Sequence, residues 1–297
     1  MTRLAVKVDV DTLRGYKEGV PRLLDLFKKH GVKASIFFSF GPDNSGKAIR
    51  RIFRKGFISK MIRTKAPSTY GLKTLMYGTL LPAPMIVPSA PDVFRRAVAE
   101  GHDCGVHAWD HVYVQYNLPE ISAAQFRALF EKAADMFQSL SGSAPRSCAA
   151  PGWQVSADSF SVQQELGLDY CSDVRGTSPF LPVFEGRQYG PVQVPTTLPT
   201  MDEIYGLPGI GDDTLPEAWL KGMVHNWNVV TVHAEMEGMS KLNVLDRFLT
   251  MTRERGVQFF TLMDYARLAP ALPCGVVMWR LEGRAGLLAV QEEKHNG

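Results

Sequence analysis

The sequence predicts an α/β fold in which helices cover a parallel sheet, and three consecutive segments carry that prediction. Residues 4–10 alternate apolar and charged side chains, as a half-buried strand does. Residues 20–30 have apolar side chains at helical spacing, and Gly31 follows as a stop signal. Residues 34–40 form an apolar run typical of a buried strand. A strand, a helix and a strand in this order begin a parallel sheet.

The alternation of helices and strands continues along most of the chain. We expect further helices over residues 91–100 and 123–140. Short strands are predicted at residues 103–106, 146–149, 170–172, 193–195, 229–232 and 258–260. The predicted organisation is one large domain over residues 1–268, an insertion within it at 44–91 and a peripheral C-terminal tail at 269–297.

The composition excludes several classes of protein. With 45% hydrophobic and 21% charged residues, the chain is neither a disordered protein nor a fibre. Its four cysteines form no C-x-x-C pair, which argues against a zinc ribbon or a thioredoxin-like site and favours reduced thiols in a cytoplasmic protein. The N-terminus enters the first strand directly, so we expect no signal peptide, and no apolar stretch approaches the roughly 20 residues that a spanning helix needs.

The positive charge is concentrated in the insertion. Nine basic and no acidic residues lie between Asp43 and Asp92, and without them the net charge changes from +3 to −6. This distribution predicts a local anionic partner. Treated as a helix, the segment has one apolar and one basic side, and its candidate membrane contacts are Ile49, Arg50, Ile52, Phe53, Arg54 and Phe57.

A helix of this kind binds reversibly to a membrane surface, because basic side chains attract anionic lipids while apolar side chains enter the acyl boundary. The segment is therefore expected to dock on the cytoplasmic surface of the inner membrane. A solvated basic helix folded over the domain is the alternative interpretation. A nucleic-acid surface is disfavoured, because the aromatic side chains lie on the apolar side and are not interleaved with the basic ones. We predict no nucleic-acid partner.

Two carboxylates mark the end of the first predicted strand. Asp9 and Asp11 lie two residues apart, so their side chains point to the same face of the sheet. Such a pair raises one pKa unless a cation lies between the two, and a useful division is one carboxylate on a metal and one free as a base. An isolated D-x-D is also common as the cap of a turn. The pair therefore gains significance only from other residues.

Histidines follow two later strands. His107 and His111 are four residues apart, which on a helical turn places both imidazoles on one face, suited to a single ion. Two unrelated surface histidines are the alternative, but three of the seven histidines fall within ten residues. His233 ends another strand, where a lone histidine is usually structural.

Together these residues predict a hydrolytic metal centre. All of them lie at the C-terminal ends of predicted strands or just beyond, which is where parallel α/β proteins build their sites. A ligand set of Asp11, His107 and His111 with open positions suits a divalent ion such as Zn, Co, Mn or Fe. Such an ion acidifies water and polarises a carbonyl group. Amide hydrolysis needs both effects.

The ordered motifs resemble those of the polysaccharide deacetylases of the NodB-homology type, carbohydrate esterase family four. The matching segments are residues 8–12, 101–111, 172–173 and 230–233. The resemblance implies an irregular (β/α) barrel carrying the insertion, and a bound divalent metal ion (Zn, Co or Mn). It also implies the following roles: Asp9 as general base toward water, Asp11, His107 and His111 as metal ligands, His233 as the acid that protonates the departing amine, and Asp173 as the residue that orients His233.

Departures from the family pattern indicate one branch of it. The third family motif, Arg-x-Pro, reads Ala149-Ala150-Pro151, with alanine where arginine is expected. Gly152 and Trp153 follow as candidate substrate-binding residues. Residues 233–238 read His-Ala-Glu-Met-Glu-Gly in place of the usual His-Asp. These features resemble a branch that removes the N-formyl group from 4-deoxy-4-formamido-L-arabinose carried on undecaprenyl phosphate, in lipid A modification and polymyxin resistance.

Two other functions remain open. The first is N-deacetylation of a polysaccharide or another amino sugar, against which the basic insertion and the expected absence of a secretion signal count. The second is a catalytically silent membrane-binding module that has lost the arginine beside the base. The joint retention of the aspartates and histidines argues against it.

Overall fold

The computed structural model describes residues 1–48, 73–281, 284 and 286–292. Its strands are β1 (Arg3–Val10), β2 (Ser35–Ser39), β3 (Asp103–Ala108), β4 (Ser147–Cys148), β5 (Tyr170–Cys171), β6 (Leu181–Phe184), β7 (Arg187–Gln188), β8 (Val192–Gln193), β9 (Val229–His233), β10 (Gln258–Phe260), β11 (Pro273–Trp279) and β12 (Leu288–Gln291). Its α-helices are α1 (Val20–His30), α2 (Ser45–Ala48), α3 (Pro91–Ala99), α4 (His111–Asn117), α5 (Ala123–Ser141), α6 (Ala157–Glu165), α7 (Met201–Ile204), α8 (Leu215–Gly222), α9 (Leu242–Glu254) and α10 (Leu262–Leu268). A π-helix (Gly15–Gly19) precedes α1.

Within these residues the main sheet has eight strands, each parallel to its neighbours, in the order β10-β1-β2-β3-β4-β5-β8, and β9 also pairs with β1. The segment after β8 closes the ring on β9, because the amides of Thr197 and Leu198 donate to the carbonyl of Val229 at 3.2 and 3.0 Å. Helices on the outside pack against the strands in one large apolar core. The predicted α/β fold, an irregular (β/α) barrel, is confirmed.

The two faces of β1 separate the outer core from the barrel interior. Leu4, Val6, Val8 and Val10 belong to the core shared with the helices. Ala5 belongs to a second cluster that includes Phe37 and Ala149, inside the ring of strands. Because side chains alternate along a strand, Lys7 and Asp9 face the interior with Ala5. The interior of the barrel thus becomes polar toward the C-terminal ends of the strands.

The predicted helices form close to their expected bounds, because their end signals are local. Gly31 ends α1 in the left-handed conformation with φ 64°. Ser122 and Gln125 form a capping box at the start of α5. At the opposite end of the barrel, α10 covers the N-terminal ends of the strands, where the amide of Leu262 donates to Ser35 Oγ at 2.8 Å. Only the C-terminal ends are left for a site.

The chain after residue 268 contributes to a second sheet, in the order β12-β11-β6-β7. Strand β11 pairs in parallel with β6 and antiparallel with β12. Val276 and Ala289 are buried there with Phe160 and Val174 of the domain. Within the segment expected as a peripheral tail, the strands Pro273–Trp279 and Leu288–Gln291 therefore pack on the barrel, while the division of the chain at residue 268 stays a prediction.

The insertion at residues 44–91 is described only at its two ends. Helix α2 lies at its start, and the carbonyl of Tyr77 accepts a hydrogen bond from the amide of Gly46 at 3.0 Å, which joins the two ends. The predicted membrane contacts, from Ile49 to Phe57, lie outside the described residues. Among the helices that the structure describes, none is long and apolar enough to cross a membrane.

Candidate active site

The predicted site residues converge at the C-terminal ends of neighbouring strands. Asp9 lies near the end of β1 and Asp11 just beyond it, His107 lies on β3, His111 begins α4 and His233 ends β9. In a parallel sheet these ends meet at one edge, so distant parts of the chain are brought together. The structure places all five residues there.

Asp11, His107 and His111 form a cradle for an ion. Asp11 Oδ1 lies 3.1 Å from His107 Nε2 and 3.5 Å from His111 Nε2. Despite these short distances, Asp11 Oδ1 has no hydrogen-bond partner among the described residues. Three ligand atoms that approach one another in this way could share one ion, and one carboxylate with two imidazoles suits a divalent transition metal.

The tautomer of His107 agrees with this interpretation. Its Nδ1 atom lies 2.7 Å from the carbonyl oxygen of Ala149. A carbonyl oxygen only accepts, so Nδ1 must donate, and in the neutral imidazole Nε2 then carries the lone pair that faces Asp11. Metal-binding histidines are usually oriented in this way by a second hydrogen bond.

The charges of the cradle favour a cation. Burial would raise the pKa of Asp11, but the imidazoles of His111 and His107 outweigh burial and hold the pKa well below its usual range. Burial lowers the pKa of His107, yet the carboxylates of Asp9 and Asp11 outweigh burial and raise it. For His111, burial prevails and the pKa is lowered. The carboxylates therefore draw positive charge into a buried place, which a divalent ion satisfies.

Asp9 has one oxygen held and one oxygen free. Its Oδ2 atom forms an ion pair with Lys7 Nζ at 3.3 Å. Its Oδ1 atom is buried and has no hydrogen-bond partner among the described residues. The sequence did not single out Lys7, because a lysine on a strand is normally an exposed residue, whereas this one is 0% exposed.

His233 lies beside Asp9 across the pair of strands. The two residues are partners in the parallel register of β1 and β9. The Nδ1 atom of His233 is buried and has no hydrogen-bond partner within the described ranges. Two residues that are partners in the strand register therefore each have one buried side-chain atom without a hydrogen-bond partner among the described residues.

Two buried glutamates follow His233 in the chain. Glu237 Oε2 accepts a hydrogen bond from the backbone amide of His233 at 2.8 Å, and burial raises the pKa of Glu237 to about 7. Burial also raises the pKa of Glu235 well above its usual range. The loop after β9 thus combines a fixed histidine backbone with two carboxyl groups that resist ionisation.

Asp173 is held by several hydrogen bonds. It accepts hydrogen bonds from the amide of Ala150 at 2.7 Å and from the side chains of Gln163 and Gln193 at 2.9 and 3.2 Å. Asp173 therefore fixes the loop that follows β4. Its role of orienting His233, which the family resemblance implies, stays a prediction.

Gly152 and Trp153 belong to that loop. Both residues have positive φ angles, 62° and 52°. The ring of Trp153 is 2% exposed, and its indole nitrogen donates to Thr196 Oγ1 at 3.3 Å. Three cationic groups surround this ring at centroid distances of 5.4, 5.2 and 4.2 Å, namely Lys7, Arg175 and Arg284. A side chain so buried supports the wall of the site and presents little surface to a substrate.

Several residues that the site motifs include have structural roles. His102 Nδ1 accepts a hydrogen bond from the amide of Ala34 at 3.1 Å. Asp103 accepts hydrogen bonds from the hydroxyls of Ser35 and Tyr170, each at 2.6 Å, at the closed end of the barrel. Asp110 accepts from the amide of Tyr113 at 3.0 Å and caps α4.

The segment after β2 holds the loops that carry the metal ligands. Asp43 Oδ2 accepts from the amide of Leu13 at 2.8 Å, close to Asp11. Asn44 donates to Asp110 Oδ2 at 2.6 Å, next to His111. These hydrogen bonds give Asp43 and Asn44 a structural role, because they fix the loops on which Asp11 and His111 lie.

Comparison with known proteins agrees with these features. A family model described as polysaccharide deacetylase matches residues 10–171. A protein of Shewanella sediminis (strain HAW-EB3), named "Probable 4-deoxy-4-formamido-L-arabinose-phosphoundecaprenol deformylase ArnD", is 34% identical over 302 residues, covering 100% of this chain and 97% of that protein. A protein of the same name from Wigglesworthia glossinidia brevipalpis is 28% identical over 94% of this chain and 99% of that protein.

Among solved structures, the peptidoglycan N-acetylglucosamine deacetylase Bc1960 has the same fold, with a TM-score of 0.57, 17% identity and coverage of 91% of this chain and 90% of that chain. The family model spans more than half of the chain, and the first relative matches it from end to end. The resemblance found in the sequence motifs is confirmed: this chain belongs to the polysaccharide deacetylase family.

Proposed function

We propose that this protein is a divalent-metal-dependent amide hydrolase that removes the N-formyl group from 4-deoxy-4-formamido-L-arabinose carried on undecaprenyl phosphate. The observation that carries the proposal is the match, at 34% identity over the whole chain, to a protein named as the deformylase of that lipid. The match extends over the insertion and the C-terminal sheet as well as over the barrel. The products are formate and the free amino sugar on the lipid.

The side chains of the site fit this chemistry. Asp11, His107 and His111 would hold the ion, which when bound supplies Lewis acidity toward the amide carbonyl and lowers the pKa of water. Asp9 has its Oδ1 atom available to take a proton from the attacking water. His233 would give a proton to the amine nitrogen as the C–N bond breaks, so that the amine leaves in neutral form. Each proton transfer contributes on the order of 10²- to 10⁴-fold to the rate.

The ion is proposed to be Zn, Co or Mn. Imidazole and carboxylate ligands bind all three, and the donor set does not separate them. The side chains of Asp11 and His111 are 17% and 13% exposed, whereas that of His107 is 2% exposed. The cradle is therefore open on one side, as a catalytic metal site with free coordination positions requires.

We also propose that the protein binds peripherally to the cytoplasmic surface of the inner membrane, where a lipid-linked substrate would lie. The segment between Ala48 and Lys73 contains eight of the nine clustered basic residues, counting Lys73 itself. Helix α2 joins its start to Asp43 and Asn44, which are hydrogen-bonded to the loops of the proposed metal ligands. A membrane-bound insertion would therefore bring the site close to the lipid headgroups.

One experiment tests the substrate and the metal together. Purified protein is incubated with the formamido-arabinose lipid or with an N-acetylated oligosaccharide, each with and without a chelator, and released formate or acetate is measured. Release of formate from the lipid alone, abolished by the chelator, is the expected result. Release of acetate from the oligosaccharide instead would identify a polysaccharide deacetylase, and no release from either would contradict the proposed activity.

Flotation with liposomes tests the membrane proposal separately. The protein is expected to float with anionic vesicles at low salt and to remain behind with neutral vesicles or at high salt, because the attraction depends on charge. A variant with Arg50, Arg51 and Arg54 changed to glutamine should lose binding. A variant with Arg253, Arg255 and Arg267 changed to glutamine removes the same charge elsewhere and is the matched control. Failure of the wild type to float with anionic vesicles would refute peripheral binding.

A further inference from the structure

The family's third motif normally places an arginine beside the catalytic base, and this chain has alanine there. Ala149 is 0% exposed and lies in the barrel interior with Ala5 and Phe37. A methyl group carries no charge and donates no hydrogen bond. Another group must hold Asp9 in place if this carboxylate acts as the base.

We infer that Lys7 is the positioning residue for Asp9. It replaces the family's arginine in function, but it lies on β1, whereas the arginine would follow β4 at the position of Ala149. This inference rests on the proposed function. Lys7 lies two residues before Asp9 on β1, so both side chains point into the barrel. Its Nζ atom reaches Asp9 Oδ2 at 3.3 Å, and the side chains of the two residues are 1% and 6% exposed.

The surroundings of Lys7 fix the ammonium group. Besides the contact with Asp9, Nζ donates to the carbonyl oxygen of Ser172 at 3.2 Å. The rings of Phe37 and Trp153 lie on other sides, with centroids at 5.7 and 5.4 Å. An ammonium group has three donors and no acceptor. The hydrogen bond to Ser172 and the contacts with the two rings therefore favour the position of the ammonium group beside Asp9.

This arrangement assigns different roles to the two oxygens of Asp9. Oδ2 is held by Lys7, whereas Oδ1 has no hydrogen-bond partner among the described residues. A base whose second oxygen is fixed presents its free oxygen in one direction, and catalysis is sensitive to such orientation. Ser172 belongs to the segment that matches the family's fourth motif. It contributes to this arrangement through its backbone, because its carbonyl oxygen accepts a hydrogen bond from Lys7 Nζ.

The test compares metal-loaded Lys7→Met, Lys7→Arg and wild-type protein, with turnover of the formamido-arabinose lipid and a crystal structure as independent readouts. Methionine has a similar length but no charge. We expect Lys7→Met to lower kcat by about 100-fold or more, the range of a misplaced base, with KM within about threefold and metal content unchanged. The kcat of Lys7→Arg should be at least tenfold higher than that of Lys7→Met, because arginine restores the positive charge. In the crystal, the Asp9 carboxylate should turn away from its wild-type position in Lys7→Met only.

A double-mutant comparison covers the case in which Lys7→Met does not fold, since Asp9→Asn removes the unpaired buried charge that it would leave. If Lys7 acts through Asp9, Lys7→Met/Asp9→Asn should have the same residual kcat as Asp9→Asn alone. A further drop of tenfold would overturn the inference, as would a Lys7→Met protein with wild-type kcat or an unmoved Asp9. Failure of the proposed function gives a different result, because then the wild type itself releases no formate while the position of Asp9 still reports on Lys7.

Discussion

His233 and Asp9 are direct partners in the parallel register of β1 and β9, so the proposed acid and the proposed base lie on adjacent strands of one barrel. Adjacent strands are separated by about 4.8 Å. The backbone amide of Ala234, which follows His233, donates to the carbonyl of Asp9 at 3.0 Å. The relative position of acid and base is therefore set by the sheet itself and does not depend on a flexible loop.

The first prediction concerns these two residues. Asp9→Asn and His233→Gln should each lower kcat on the lipid substrate by roughly 10²- to 10⁴-fold, because each removes one proton transfer. Both substitutions preserve the size of the side chain. His233→Gln should change the thermal unfolding midpoint little, whereas Asp9→Asn should lower it, because the buried ammonium group of Lys7 loses its charged partner. Asp92→Asn and His225→Gln, at positions outside the site, are the matched controls and should retain wild-type kcat. Full activity in either site variant would show that the assigned role is wrong.

The second prediction concerns the metal ligands. Dialysis against a chelator should abolish turnover, and a divalent transition metal added back should restore it. His111→Gln should weaken the affinity for the ion by more than about 100-fold, since loss of an outer-sphere partner alone costs 10- to 100-fold. The affinity can be measured by competition with a chelating dye, without any substrate. Unchanged metal content in this variant would exclude His111 as a ligand.

The third prediction concerns Glu237, whose pKa is raised by burial from 4.5 to about 7. A carboxyl group with a raised pKa binds more protons in the folded state, so the free energy of unfolding decreases as the pH rises from about 4.5 to about 7. Glu237→Gln keeps an acceptor for the amide of His233 and cannot ionise. Its stability relative to wild type should improve between pH 5 and pH 8, by up to about 3 kcal/mol.

Urea unfolding at the two pH values measures this difference. Glu254→Gln, an exposed substitution of the same kind on α9, is the control and should show no such change with pH. A Glu237→Gln protein whose stability relative to wild type is the same at both pH values would contradict the raised pKa.

The fourth prediction concerns His102, whose pKa is lowered by burial from 6.5 to about 4. The unfolded chain binds more protons than the folded protein between these values, so stability decreases as the pH falls from about 6.5 to about 4. His102→Asn keeps an acceptor for the amide of Ala34 and does not titrate. At pH 7 the variant should be less stable than wild type, because it loses the ring contact with Phe27. Between pH 6.5 and pH 4, however, its free energy of unfolding should decrease by less than that of wild type, the difference being up to about 3 kcal/mol. An equal decline in both proteins would count against a neutral buried histidine.

Local patterns in the sequence were sufficient to predict most of the secondary structure around the site. The end of β1 and the strand that ends at His233 are short-range features. The helical turn expected to carry both His107 and His111 is wrong, because His107 lies on β3 and His111 begins α4; the two imidazoles meet because the chain turns between them. A parallel sheet brings such strand ends to one edge whatever the details of packing. For this reason the five residues of the proposed metal, base and acid functions could be named before their distances were known.

Residues whose role depends on long-range contacts could not be predicted in this way. Lys7 looked like an exposed strand residue until the closed barrel placed it against Ser172, 165 positions away. The hydrogen bonds that Gln163 and Gln193 donate to Asp173 also join residues that are 10 and 20 positions apart, and no pattern in the sequence indicated them. Strands β11 and β12 lie in the segment that was expected as a tail, and they form because β6 offers an edge to β11, which in turn pairs with β12.

The sequence by itself determined the fold class and the residues that carry charge and chemistry, because these depend on periodicity and on residue type. Only the tertiary structure decided which buried groups neighbour one another. The tautomer of His107 depends on the backbone carbonyl of Ala149, 42 positions away, and Lys7 is fixed beside Asp9 by the backbone carbonyl of Ser172, 165 positions away. That is why the ligands and the base were recognisable in the sequence, whereas the lysine proposed to hold the base was not.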